Sequence, residues 1–190
     1  ISNWNVSNVT SMIETFRECR VFNKDISNWN VSNVTSTSTM FFNARVLNQP
    51  IGNWNVSKVT NMQNMFRGAY AFNGNINNWD TSSVNVMANM FWLSINFNQD
   101  LNNWNTSNVT NMANMFYDIR TVFNGDITNW DVSNVTDMTN MFYNASSFNK
   151  DIRVWDVSSS CTLTNMFDRA TAFNNEYSSA DTPVYSFFNQ

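Results

Sequence analysis

The stretch "NWDVSNVTDMTNMFYNASSFNKDI", Asn129 to Ile152, decides the fold, because near copies of it can be laid over most of the chain. Tryptophans mark the register at Trp4, Trp29, Trp54, Trp79, Trp104, Trp130 and Trp155, 25 residues apart except for a step of 26 between Trp104 and Trp130. A repeat this short cannot bury its own apolar face, so copies must stack and share one core. The extra residue falls between Phe116 and Phe123 and is expected in a surface loop, and Trp92 stands outside the tryptophan ladder.

Within one unit, Ile51 to Phe72, two spacings are visible. Trp54-Asn55-Val56-Ser57 alternates apolar and polar, which predicts a short strand with Trp54 and Val56 on one face. From Thr60 the rhythm changes to Met62, Met65, Phe66 and Ala69, which predicts about two helical turns capped by Thr60 or Asn61. Together these predict an α/β repeat solenoid, leucine-rich-repeat-like, of about seven 25-residue strand-plus-short-helix units with a parallel sheet on one side. The repeats span 1–175 as a single domain, and 176–190 is expected to be a C-terminal cap or tail. The methionine columns read as core filler beside aromatic rings. Cys19 falls in a column of small packing residues and Cys161 replaces a threonine of the column Thr10, Thr35, Thr60, Thr110 and Thr136, so neither cysteine reads as a nucleophile.

The 190 residues carry a net charge of -4, a charged fraction of only 13% and 37 asparagines, so the polar surface is built from amides and hydroxyls. There is no basic footprint for nucleic acid, and no apolar run long enough for membrane insertion within this segment. Histidine is absent, which removes the commonest general base, and no nucleotide, metalloprotease or nucleophile-elbow motif occurs. The chain is therefore expected not to be an enzyme and to need no cofactor or metal. The acidic row Asp25, Asp100, Asp126, Asp151 and Glu176 offers one carboxylate per unit, too few to hold Ca²⁺.

Equivalent residues of stacked units form columns. Asn23, Asn48, Asn73, Asn98, Asn124, Asn149 and Asn174 are expected to bridge units structurally. The column between Trp and Val, made of Asn5, Asn30, Asn55, Asp80, Asn105, Asp131 and Asp156, is expected to face outward from the sheet as a candidate binding strip for glycans or protein partners. Asn-x-Ser/Thr sequons begin at Asn5, Asn8, Asn30, Asn33, Asn55, Asn105, Asn108, Asn134 and Asn144, with Asn144 the favoured carrier of an N-linked glycan because it sits at the expected helix end.

The phrase WDVSNVTDMTNMFYNASSFNKDI resembles the bacterial surface protein 26-residue repeat, first described as a mycoplasma domain of unknown function and related in style to BspA-like leucine-rich repeats. The resemblance covers Ile1 to about Asn175. It implies an extracellular, cell-surface or particle-surface location and a noncatalytic structural protein, a spacer or adhesion module. An alternative is a self-assembling filament or viral or cell coat component, associating through the solenoid ends; the opening at Ile1, in mid-repeat, reads as cut from a longer chain.

Overall fold

The computed structural model describes residues 1–120 and 122–188. Among them, regular structure is confined to one α-helix, α1 (Thr171–Tyr177), and a three-residue 3-10 turn, Tyr185–Phe187. The strand-plus-short-helix unit is therefore not what this sequence forms. The leucine-rich-repeat-like solenoid with a parallel sheet on one side is overturned with it, since the described residues hold only isolated parallel bridges, Ser11 to Ser36, Asn61, Val86, Asn111, Asp137 and Thr162. Each repeat is instead a coil of consecutive β-turns laid over the next coil.

The expected helix fails for a reason written in its backbone angles. Met65 N–H donates to Met62 O and Ala69 N–H to Phe66 O, closing two four-residue turns in succession. The third residue of each has positive φ, 56° at Asn64 and 71° at Gly68. The second residue of each turn does not share it, which is the type II arrangement. The same pair recurs in every coil: Glu14 and Glu18, Thr39 and Asn43, Asn89 and Leu93, Asn114 and Asp118, Asn140 and Asn144, Asn165 and Arg169. A left-handed residue every fourth position stops an α-helix from propagating. It also turns alternate N–H groups along the stack: Met62, Asn64, Phe66 and Gly68 donate to the carbonyls of Val86, Ala88, Met90 and Trp92 in the following coil, at 2.8–3.0 Å. Backbone polarity is thus satisfied half within the coil and half between coils.

The expected strand fails similarly. Trp54 N–H donates to Ile51 O and Val59 N–H to Val56 O, so only Trp54 to Val56 lies between one turn and the next. Only the rung residue near Asn61 meets its neighbours in β fashion, where Thr60 N–H donates back to Thr35 O.

Apolar columns fill the interior. The leading phenylalanines Phe16, Phe41, Phe66, Phe91, Phe116, Phe142 and Phe167 stack at 5.5–5.7 Å between ring centroids. A second aromatic column packs on them, Phe72 lying 4.1 Å from Phe66 and Phe148 4.3 Å from Phe142. Tryptophans continue the stack on the other side, with Trp79–Trp104, Trp104–Trp130 and Trp130–Trp155 at 6.2–6.4 Å and nearly parallel. Such pairs contribute about 0.5–1.5 kcal/mol each beyond area burial. Trp4, in the first coil, is 61% exposed, and Ile13 and Val21 beside it are exposed too.

At the opposite end, α1 takes the place of a turn corner and keeps Phe173 in its column, 5.7 Å from Phe148. The following segment closes the last layer. Asp181 O accepts from Phe167 N–H, Thr182 Oγ1 from Asn165 N–H, and Tyr185 Oη donates to Cys161 O, while Phe188 is buried. In this last coil the turn slips by one residue, because Cys161 N–H donates to Ser158 O where Val135 N–H donates to Val132 O one coil earlier. Cys161 therefore occupies the buried valine position rather than the exposed threonine position that its count in the sequence gives it.

Candidate functional site

With no sheet, the strip expected on a sheet face lies instead on a corner of turns, and its residues Asn5, Asn30, Asn55, Asp80, Asn105, Asp131 and Asp156 are all exposed. Each rung but the last has the same local device. Asn55 Oδ1 accepts Ser57 N–H at 3.1 Å and Ser57 Oγ–H at 2.7 Å, and Asn5, Asp80, Asn105 and Asp131 repeat both bonds with Ser7, Ser82, Ser107 and Ser133. Asn30 accepts the main-chain bond from Ser32. This Asx-type closure is why Asn or Asp followed two residues later by Ser recurs at the corner. It fixes the rotamer and leaves one group per rung facing solvent: an amide NH2 on the asparagines, a second carboxylate oxygen on the aspartates. At Asp156 the pattern lapses, since Ser158 Oγ pairs with Ser160 Oγ.

The serine bonds also set the charge. Hydrogen bonds from Ser82 and Ser133, side chain first and then main chain, hold the carboxyls of Asp80 and Asp131 below the ordinary aspartate range. These two rungs thus keep their negative charge in mild acid.

The neighbouring sequon asparagines are used differently. Nδ2 of Asn33 donates to Ser7 O, that of Asn108 to Ser82 O and that of Asn134 to Ser107 O, at 2.7–2.9 Å, each tying one coil to the preceding one. Asn144 has φ 54° and its Nδ2 donates to Asp118 Oδ1 at 2.5 Å, so it sits at a left-handed turn position and not at a helix end. Asn8 is exposed. The other asparagine ladder is a bonded column: Asn23, Asn48, Asn73, Asn98 and Asn124 each accept, through Oδ1, the N–H of the equivalent asparagine one coil on, at 2.8–2.9 Å.

A second surface ladder was not anticipated from the sequence. Trp92, apparently outside the tryptophan register, belongs to the column that follows the leading phenylalanine: Arg17, Phe42, Arg67, Trp92, Tyr117 and Tyr143. The Arg67 guanidinium lies 3.8 Å over Trp92 and 5.4 Å from Phe42, and Trp92, Tyr117 and Tyr143 follow at 4.5 Å steps. Arg67 covers Trp92, Tyr117 stacks on Tyr143, and Trp92 meets Tyr117 at a tilt of 43°, so the column acts as an outer brace of cation–π and ring contacts rather than an open platform. Reading the sequence by columns at this position would have found it.

Cys161 is buried and its thiol is pushed up to about 11 by desolvation, while Cys19 is exposed; both are free. Among the described residues no helix is long and apolar enough to cross a membrane.

A family model described as Mycoplasma protein of unknown function, DUF285, matches residues 1–73, 47–122 and 118–187. No curated protein and no solved structure matches the chain.

Proposed function

The chain belongs to the DUF285 repeat family, and from that premise we propose that it is a noncatalytic display module, a stiff spacer that presents the strip from Asn5 to Asp156 to hydroxyl-rich glycans or to polar protein surfaces outside the cell or on a particle. The observation that carries this reading is the Asx closure. It holds one outward amide or carboxylate in a fixed orientation on every coil from Asn5 to Asp131, over a core of stacked ring columns. A row of preorganised donors and acceptors suits a ligand that is itself periodic.

Noncatalytic action fits the placement of the acids. The strip has at most one carboxylate to a coil, and there is no histidine in the chain to work beside it. Filament growth through the ends is the weaker reading, since stacking on the last coil would have to displace Asp181 and Thr182 from the N–H groups they already cover.

The test exchanges the outward groups without disturbing the corner. Asn55→Asp with Asp80→Asn keeps the Oδ1 acceptor for Ser57 and Ser82 but swaps amide for carboxylate on two adjacent rungs. On a glycan array and against immobilised surface-protein extracts, wild-type binding that is altered in the double variant supports the strip. Equal signal from the two proteins removes it.

A further inference from the structure

One corner of the stack departs from its own pattern. The residues that precede each tryptophan form exposed to half-buried columns which carry charge on most coils: Lys24 and Asp25, Asp100, Asp126, and Lys150, Asp151 and Arg153. Across two adjacent coils that charge is gone. Gln49, Pro50 and Gly52 stand on one, Gly74 and Asn75 on the next, and together with Asn48, Asn53 and Asn78 they line an open notch.

Both glycines have a packing reason. A Cβ at Gly52 would collide with the carbonyl oxygen of Asn75, and one at Gly74 would press on the Phe72 ring at 3.1 Å. The consequence is a floor of bare backbone, with Cα–H groups and the Pro50 ring as its only apolar surface. The walls are amides in which hydrogen-bonding capacity is left over. Asn53 and Asn78 make no hydrogen bond to the described residues through their side chains. Asn48 and Asn75 spend only Oδ1, on Asn73 N–H and Asn77 N–H, and Gln49 spends only Nε2, on Asn23.

From this geometry we propose that the notch is a binding site for a single uncharged sugar residue, as a glycan end or branch. A pyranose presents adjacent hydroxyls, each both donor and acceptor, and amides match that pairing without a countercharge. Its axial C–H face suits the small patch of proline ring and glycine Cα. Acidic sugars find no cation in the notch itself; on the coils to either side the Lys24–Asp25 pair offers no net positive charge and Asp100 is negative, in a chain of net charge -4. A peptide would want a deeper apolar pocket for an anchoring side chain. The site names a ligand class for the glycan arm of the function proposed above and rests on that reading.

The experiment is an NMR titration of the full chain, 15N-labelled, with methyl glycosides of glucose, galactose, mannose and N-acetylglucosamine, and with glucuronic acid. At least one neutral glycoside should shift the side-chain amides of Asn53, Asn75 and Asn78 and saturate in the ~1–10 mM range typical of one small ligand in an open site, while glucuronic acid does not. Asn53→Ala with Asn78→Ala should weaken binding at least ~10-fold, a factor worth about 1.4 kcal/mol. The matched pair Asn103→Ala with Asn129→Ala, in the same columns beside Asp100 and Asp126, should leave it unchanged. The unperturbed remainder of each spectrum reports that the variants fold. Absence of shifts with every neutral glycoside, or equal weakening by both pairs, overturns the site. Shifts confined to Asn55 and Asn105 would overturn the notch alone and leave the strip standing.

Discussion

The indole N–H of Trp79 donates to the main-chain oxygen of Ile51 at 3.1 Å, and that oxygen also accepts the N–H of Trp54. One carbonyl therefore closes a turn in its own coil and receives the side chain of the next. The relation repeats from Trp29 to Trp130, at 2.8–3.2 Å. Trp155 is the exception, its indole N–H being buried without a partner.

Trp79→Phe should lose this bond and leave a gap beside Trp104 and Phe66. The cost is about 2–4 kcal/mol from the lost hydrogen bond and the cavity together. Trp4→Phe, at an exposed ring, should cost about 0.5 kcal/mol or less. Urea unfolding of the two variants beside wild type checks the difference, and equal midpoints would contradict a coil-to-coil role for the indole.

The left-handed turn positions give a second prediction. Asn89 has φ 60° and its side chain makes no hydrogen bond to the described residues. Asn89→Val forces a β-branched residue into that region and should cost about 1–2 kcal/mol, whereas Asn89→Gly should be nearly neutral. An α-helix at this position would reverse the order, with glycine the more damaging change. Thermal melts of the pair therefore discriminate between turn and helix directly.

The same residues explain what could be read beforehand. Met62, Met65, Phe66 and Ala69 lie three and four apart whether the chain forms a helix or two successive type II turns, so spacing alone could not choose. The deciding signal was the asparagine third in each quartet, Asn64, Asn89, Asn114, Asn140 and Asn165, since asparagine tolerates positive φ. The tryptophan period and its apolar columns were legible because burial imposes them on every copy. That the strip is exposed was also legible. Its Asx closure, the Arg67–Trp92 brace and the charge-free notch depend on which atoms of neighbouring coils meet, and hydrophobic periodicity does not carry that information.

Thr37 stands in a methionine column, is 1% exposed, and its Oγ1 has no hydrogen-bond partner. Buried Thr81 and Thr106 instead donate to Asn105 O and Asp131 O. Thr37→Met should remove an unsatisfied hydroxyl and restore the column between Met12 and Met62, raising stability by about 1–2 kcal/mol in urea unfolding. Thr81→Val should bring no such gain. Destabilisation by Thr37→Met would mean the site lacks room for the thioether.

For Asp80 and Asp131 the pH dependence has a definite sign. Their folded pKa values lie below the unfolded value, so their contribution to stability is present above about pH 4 and is lost as pH falls through the depressed folded pKa. Carboxyl NMR titration should place both below exposed model aspartates. Ser82→Ala should bring Asp80 part of the way back, since the Ser82 N–H bond remains, and should leave Asp131 unmoved.

Sequon use should invert the expectation that favoured Asn144. N-linked sugars attach at Nδ2, and in Asn33, Asn108, Asn134 and Asn144 that atom is bonded to the preceding coil, so a glycan there crowds a link between coils and leaves it a single N–H. In Asn5, Asn30, Asn55 and Asn105 the serine bonds use Oδ1 and Nδ2 faces solvent. When the chain is secreted from a eukaryotic host behind a signal peptide, glycopeptide mass spectrometry of the folded protein should find these four sites and Asn8 more occupied than the bonded group. Fully occupied Asn144 in protein that retains its unfolding transition would contradict the assignment of its amide to the stack.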